Sequence, residues 1–552
     1  MAEPVSSGNA PHPSAAKHPQ TLETGVPLSQ SIIWRLQRAF YSQRGLKAWT
    51  EDMVPSYITN NPFIAEIYAE IVTAFLDDCM KEDRMSPGQS ASRVSPENPL
   101  RILELGAGTG RFSFLFLSKL SVLLEARKLP PEIVRYSMSD CSDSLLQFWS
   151  ANRYLAPFVA SGVLDFQLHS QESQEPHGAD GAVARPAGQA SGPLVVIANY
   201  VFDSLPQDAF VIAEGQISEA LITTASSTVD EGTAPPLLGN LQLSFKNVPL
   251  AGDRYADKQW NSILKHYVER LPAATLLFPS AALEILQQLC RTCDGRMLVL
   301  AADKGFTRED DLALLQGPPQ LEFHAGNHCF SQAVNFDAIA RYFYSLDGHA
   351  LLPEKRISSL NICAFLAPRS GNDFVLIRAA YRGIQKAFGP DDLFALMSWL
   401  NAHLEEISVP QALALLRLTR WDPTALQRLF PVIAPQLRSV HAERADFRDT
   451  VLSTWANHYP ITPEDNALAF NCGVILLELR FFAEAVLLFQ ASERQLGRTA
   501  TTSYNLGLCA LGLGRSDQAL AFMVDACNLD PAFEPARRSR LTLEQKIAAD
   551  AR

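Results

Sequence analysis

Residues 101–112 read RILELGAGTGRF, and the fold follows from how this stretch is read. Ile102, Leu103 and Leu105, with Glu104 between them, have strand-forming character and run directly into Gly106, Gly108 and Gly110. A helix-like segment, RFSFLFLSKLSVLLEARK, follows at once. Strand, glycine turn and helix together present free backbone N–H groups to a ligand, and glycine permits the close approach and the positive φ angles that a Cβ would obstruct. The spacing is Glu-x-Gly-x-Gly-x-Gly, which differs from the Gly-x-Gly-x-x-Gly of dinucleotide sites.

Around this stretch the chain reads as an ordinary globular protein of several domains. At 552 residues it is too long for one core, and it is 47% hydrophobic and 19% charged. A net charge of −12 argues against broad binding to nucleic acid, which neutralises phosphates with Lys and Arg. Nine scattered cysteines, an odd count in a large chain, argue against a disulfide framework and for a reducing, cytoplasmic setting. Cys290-Arg-Thr-Cys293 has no second pair at zinc spacing, so no metal site is expected. The sequence has no run of 18 apolar residues that would predict a membrane span, and its first residues lack a targeting pattern.

In chain order, residues 1–27 read as a disordered tail and 28–98 as a helical segment ending in a polar loop. Strands are expected at 101–105, 133–138, 163–169, 194–198 and 297–301. The last two are expected near 321–324 or 350–352, and at 360–367. A Gly/Ala/Pro-rich insertion covers about 172–192, and alternating stretches at 210–224 and 241–248 predict a β-hairpin. The run LVVIA at 194–198 is continuously apolar, as a strand buried on both faces requires. Asp140 closes the second strand, where a carboxylate can accept two ribose hydroxyls; the competing reading is that Asp140 or Asp143 caps the next helix. The third strand ends at 169–171, where a resemblance of the glycine motif quoted above to class I S-adenosylmethionine methyltransferases implies an adenine. Beyond 370 the pattern is helical. Gly473 with Gly507 and Ala485 with Ala519 are each 34 residues apart. That is the tetratricopeptide (TPR) period, and Leu529-Asp530-Pro531 closes the second unit as that family does.

The acid and three glycines resemble motif I of the class I S-adenosylmethionine (SAM) methyltransferases. The resemblance implies SAM as cofactor, with Glu104 near its ammonium group, Gly106, Gly108 and Gly110 against its methionine portion, and Asp140 on its ribose. A narrower resemblance, over roughly 33–365, is to the MidA family, which methylates an arginine during assembly of respiratory complex I. It rests on AFYSQRGLKAW and YITNNPFIAEIYAE, on Asp140-Cys-Ser142-Asp-Ser-Leu145, on Asn199-Tyr-Val-Phe-Asp203-Ser-Leu205-Pro206, on Asp303-Lys-Gly305 and on Ala333-Val-Asn-Phe336. It adds Ser142 to the cofactor-binding residues and places Asn199 and Asp203 on the acceptor side as catalytic residues. Tyr200 stands where that family has Glu, Lys304 where it has Tyr, and Ala107 and Thr109 where it tends to Pro and Arg. An arginine acceptor needs a carboxylate to localise its charge, and the change at Tyr200 removes one.

The expected fold class is α/β. It comprises a Rossmann-like, doubly wound, seven-stranded methyltransferase sheet over 99–368, N-terminal helices, a helical linker over 369–460 and an all-α TPR-like domain over 461–540. The expected function is SAM-dependent methyl transfer to a protein side chain, with arginine as the resemblance implies, and with the repeats recruiting substrate or partner. The alternatives are a non-catalytic adaptor and a methyltransferase acting on a small molecule or RNA.

Overall fold

The structure is a computed structural model, and it describes residues 19–51, 53, 57–85, 93–168, 192–226, 238–324, 329–356, 360–367, 373–386 and 389–550. The expected adenine-side residues 169–171 and most of the insertion at 172–192 lie outside these. The protein is mixed α/β around a central sheet. Seven strands form it: β1 (Leu100–Leu105), β2 (Val134–Asp140), β3 (Leu164–Leu168), β4 (Leu194–Asn199), β5 (Met297–Asp303), β6 (His349–Leu351) and β7 (Asn361–Ala367). Their order across the sheet is β6-β7-β5-β4-β1-β2-β3. From β3 to β5 all neighbours are parallel, and β7 runs antiparallel to both β5 and β6.

Side chains alternate along these strands and bury both faces, which is why β4 and β5 read as apolar runs up to their last residues. Ile102, Val195, Ile197, Leu298 and Leu300 face one core, shared with α1 (Pro62–Met85) and α2 (Arg111–Ala126). Leu103, Leu105, Val196, Ala198 and Val299 face the other, beneath the helices Lys258–Arg270, Ser280–Cys290 and Phe336–Ser345. Strand order reverses between β1 and β4, so the ends of β1, β2 and β4 open together into a crevice.

A second sheet flanks the first. Its long strand Gln216–Ser226 pairs along its length with Leu241–Pro249, and in two portions with Asp208–Ala213 and Gln20–Val26. The two stretches expected to pair thus do so, Gln216–Ser226 with Leu241–Pro249; a second hairpin lies within the first of them, turning through Glu214 and Gly215, both at positive φ, as a two-residue turn requires. Gln20–Val26 corrects the reach of the expected disordered tail: QTLETGV is polar because the strand is half exposed, yet its backbone is paired. Ala273–Phe278, which pairs with Asp208–Ala213, was not anticipated from the sequence, since a short apolar run does not separate strand from helix. Of the two expected positions for the sixth strand, 350–352 belongs to the main sheet. Glu322–His324 pairs instead with Cys329–Ser331.

The described residues beyond 373 are helical. Two helix hairpins close the chain: α3 (Ala467–Glu478) with α4 (Phe482–Leu496), and α5 (Ala500–Gly512) with α6 (Ser516–Leu529), followed by Glu534–Asp550. A Cβ on Gly473 would meet the Phe489 ring at 2.8 Å, and one on Gly507 would meet Met523 Cε at 2.7 Å. Glycine therefore sets how closely each helix approaches its mate. Among the described residues no helix is long and apolar enough to cross a membrane.

Candidate functional site

β1 ends at Leu105, and the chain bends through Gly106, Gly108 and Gly110 at φ +64°, +54° and +76° before α2 begins. L side chains avoid this region, which explains the residue type. A Cβ on Gly108 would come within 3.3 Å of the Trp49 indole. One on Gly110 would lie 2.8 Å from Met138 Cε and 3.1 Å from Tyr459 Oη, so this third glycine faces protein. The bend is held from the neighbouring strand. Ala107 N donates to Ser139 O (3.0 Å), Gly108 N donates to Asp140 Oδ2 (3.0 Å), and Trp149 Nε1 donates to Gly108 O (2.9 Å).

Beside the bend lies a cavity of about 190 Å³, several times a water molecule's share of liquid volume, about 30 Å³. Its floor is Glu104, Gly106, Ala107, Gly108 and Thr109, with Phe112 of α2. Asp140 and Cys141 form one side; Asn199, Tyr200, Val201 and Ser204 form another. Tyr41, Trp49, Thr59 and Asn60 cover it from the N-terminal segment. The cavity brings together Glu104, Gly106, Gly108, Asp140 and Asn199 of the expected site residues. Gly110, Ser142 and Asp203 lie outside its wall.

Each lining polar group has a defined state. Glu104 is buried, and its Oε2 accepts from Ser113 Oγ (2.5 Å) and Tyr136 Oη (2.7 Å). Burial pushes its carboxyl up to about 7, with those two hydrogen bonds pulling the other way. Asp140 is also raised by burial, against the N–H groups of Gly108, Cys141 and Ser142. Its Oδ1 accepts from Cys141 N at 2.7 Å. Asp140 therefore binds the glycine bend; Ser142 occupies the N-cap position of the helix Asp143–Ser150.

Two half-buried amides line the cavity, and each has one polar atom without a partner among the described residues. Asn199 Oδ1 accepts from Tyr68 Oη (2.8 Å), leaving Nδ2 without a partner. Asn60 Nδ2 donates to Thr109 Oγ1 (3.3 Å), leaving Oδ1 without one. A buried unpaired donor and acceptor cost stability unless a ligand satisfies them. Tyr200, between Asn199 and the turn Phe202–Ser204, sits at φ +53°, a strained conformation for a tyrosine.

Asp203 lies in that turn, behind the wall, buried and pushed up to about 7 by burial, with Lys304 lowering it and Glu322 raising it. Buried Asp303 is raised by burial and by Asp203; its Oδ2 accepts from Phe202 N at 3.1 Å. This acid pair shapes the turn that carries Tyr200 and Ser204. Ser142 packs beneath the N-terminal segment: its Oγ is 2.9 Å from Ser144 Oγ, and both would crowd a Cβ on Gly45.

Sequence reasoning missed Tyr41, Trp49, Asn60 and Cys141 as lining residues. One signal was available for Asn60. In the pair Asn60-Asn61, Asn61 Oδ1 accepts from Ile64 N (3.1 Å) as the cap of α1, which leaves its neighbour for another task.

Residues 89–320 match the model of a family described as "Putative S-adenosyl-L-methionine-dependent methyltransferase". Among solved structures the chain is similar to an uncharacterized protein from Burkholderia thailandensis, at 15% identity over 63% of this chain and 90% of that one, with a TM-score of 0.39. It is similar to a second protein of that organism, solved with S-adenosyl-homocysteine bound, at 16% identity over 62% and 88% with a TM-score of 0.40. It also resembles the CMeT domain of the citrinin polyketide synthase at 15% identity over 49% and 47%, with a TM-score of 0.21. No curated protein matches it. Over residues 89–320, then, the chain carries the sequence of an S-adenosyl-L-methionine-dependent methyltransferase, with S-adenosyl-L-methionine as its cofactor.

Proposed function

We propose that the cavity beside the glycine bend holds SAM and that the methyl group passes to a protein side chain. In this reading the central sheet is the Rossmann-like, doubly wound methyltransferase sheet, and the C-terminal hairpins are TPR-like repeats that recruit the protein acceptor. The observation that carries the reading is the cavity itself, which opens against Gly106 and Gly108 of the bend and is lined by Glu104, Asp140 and Asn199.

Bound SAM supplies an electrophilic methyl group on a sulfonium. The chain's own residues bind, orient and keep water out. Gly106 and Gly108 let the main chain approach the methionine portion, and ionised Glu104 faces its ammonium group. Asp140, at the end of the neighbouring strand, would accept from the ribose hydroxyls. Asn199 and Asn60 supply a donor and an acceptor to the polar end of the cofactor. Tyr200, Val201 and Ser204 line the acceptor side, and Asp203 supports their turn without touching the reacting atoms. Tyr200 in place of a carboxylate makes this wall better suited to an uncharged nucleophile than to a guanidinium.

Incubating the full chain with methyl-labelled SAM and lysate, then separating protein, RNA and small molecules, tests the acceptor class. Label in protein, lost in Asn199→Ala, is expected. Label confined to the RNase-sensitive or small-molecule fraction overturns the protein acceptor, and SAM binding with no transfer favours an adaptor.

A further inference from the structure

The glycine bend is held from a second direction, by a part of the chain some 350 residues later. Arg111, the first residue of α2, donates from Nε and Nη2 to the main-chain oxygen of Tyr459 (3.2 and 3.1 Å) and from Nη2 to Asp465 Oδ2 (2.8 Å). Asp465 Oδ2 also accepts from Ile461 N (2.8 Å) and Thr462 N (2.9 Å), so it fixes the turn that leads into α3. In return, Tyr459 Oη donates to the main-chain oxygen of Thr109 (3.0 Å) and accepts from Asn152 Nδ2 (2.9 Å). The absent side chain of Gly110 makes room for that phenol, and the Tyr459 ring packs 5.3 Å from Phe114.

From this geometry we infer that Tyr459 is a positioning residue for the cofactor: the C-terminal helices set the glycine bend by a reciprocal clamp, Arg111 on the main chain of Tyr459 and Tyr459 on the main chain of Thr109. The inference rests on the reading that the bend holds SAM. Thr109 lies between two glycines, and without an anchor its peptide would have wide freedom. Ordering it only on binding would weaken affinity, whereas ordering it beforehand strengthens it. Burial raises the Tyr459 phenol, so it stays protonated and donating. The clamp also reaches the hairpins. Gln495 of α4 donates to Tyr154 Oη (3.2 Å) and lies 3.1 Å from His458 Nε2; burial lowers His458 to about 4, which leaves that ring neutral. The Tyr154 ring packs 5.8 Å from that of Tyr459, tilted by 52°. A protein seated on the hairpins therefore meets a hydrogen-bonded route to the cofactor loop.

Tyr459→Phe keeps the ring and removes the two hydroxyl bonds. In the full chain, titrated calorimetrically with S-adenosyl-homocysteine, it is expected to weaken binding about fivefold, the effect of one neutral hydrogen bond. The KM for SAM rises in parallel while kcat at saturating SAM is unchanged, and Tyr504→Phe, on α5, leaves both unaltered. Should Tyr459→Phe not fold, Asn152→Ala, which removes the phenol's orienting donor, is expected to shift binding in the same direction. Wild-type affinity in these variants overturns the clamp. Failure of the wild-type chain to bind S-adenosyl-homocysteine overturns the cofactor reading instead.

Discussion

Glu104 sits where a buried acid must choose between its two forms. Its carboxyl is pushed up to about 7, so without a cation beside it the acid is partly protonated near neutrality. A cationic ammonium beside it favours the ionised form, so cofactor affinity should rise as pH goes from about 6 to about 8 and flatten in Glu104→Gln. Calorimetry with S-adenosyl-homocysteine across that range checks this. The stability sign is opposite. A folded pKa above the unfolded value adds stability below the unfolded value, and that stability is lost as pH rises through about 7, by about 3 kcal/mol for this group. Gly108→Ala places a Cβ at φ +54° and 3.3 Å from Trp49, and should cost about 1–2 kcal/mol in denaturant unfolding while abolishing cofactor binding. Gly106, Gly108, Glu104, Asp140 and Asn199 were legible as neighbours of one cavity because a strand end and a bend constrain residue type. Asn60 and Trp49 were not, because the chain brings them to the cavity from 50 residues away, and periodicity says nothing of such contacts.

Among the elements, legibility followed burial. β4 and β5 are covered on both faces and read as apolar runs, whereas Gln20–Val26 is a half-exposed strand and read as coil. Arg296 shows what an apolar pattern hides. It precedes β5, its side chain is fully buried, and it donates to Asp83 of α1 (2.7 Å) and Asp294 (2.5 Å). Truncating one partner of such a pair leaves uncompensated charge inside. Arg296→Ala should therefore cost about 3–5 kcal/mol in chemical denaturation, detaching α1 from the sheet. A loss below 1 kcal/mol, on the scale of an exposed pair, would show that water reaches the pair.

At the scale of the whole molecule, one apolar core runs without a break from the sheet through α1 and α2 to Leu476, Phe489 and Cys509 in the C-terminal hairpins. The 34-residue spacing announced those hairpins but not the attachment of the segment leading into them, since the contacts of Tyr459 and Asp465 with the glycine bend span some 350 residues of chain. Continuity of packing predicts that sheet and hairpins unfold together. Calorimetry should show a single endotherm; two well-separated transitions would mean the hairpins are independent of the site. All of this turns on whether the cavity takes the cofactor and whether Asp140 grips it. Titrating the full chain and Asp140→Ala with S-adenosyl-homocysteine measures that directly. Saturable one-to-one binding in wild type, weakened about 10- to 100-fold in Asp140→Ala, is the predicted result. No binding in wild type, or equal binding in both, would contradict it.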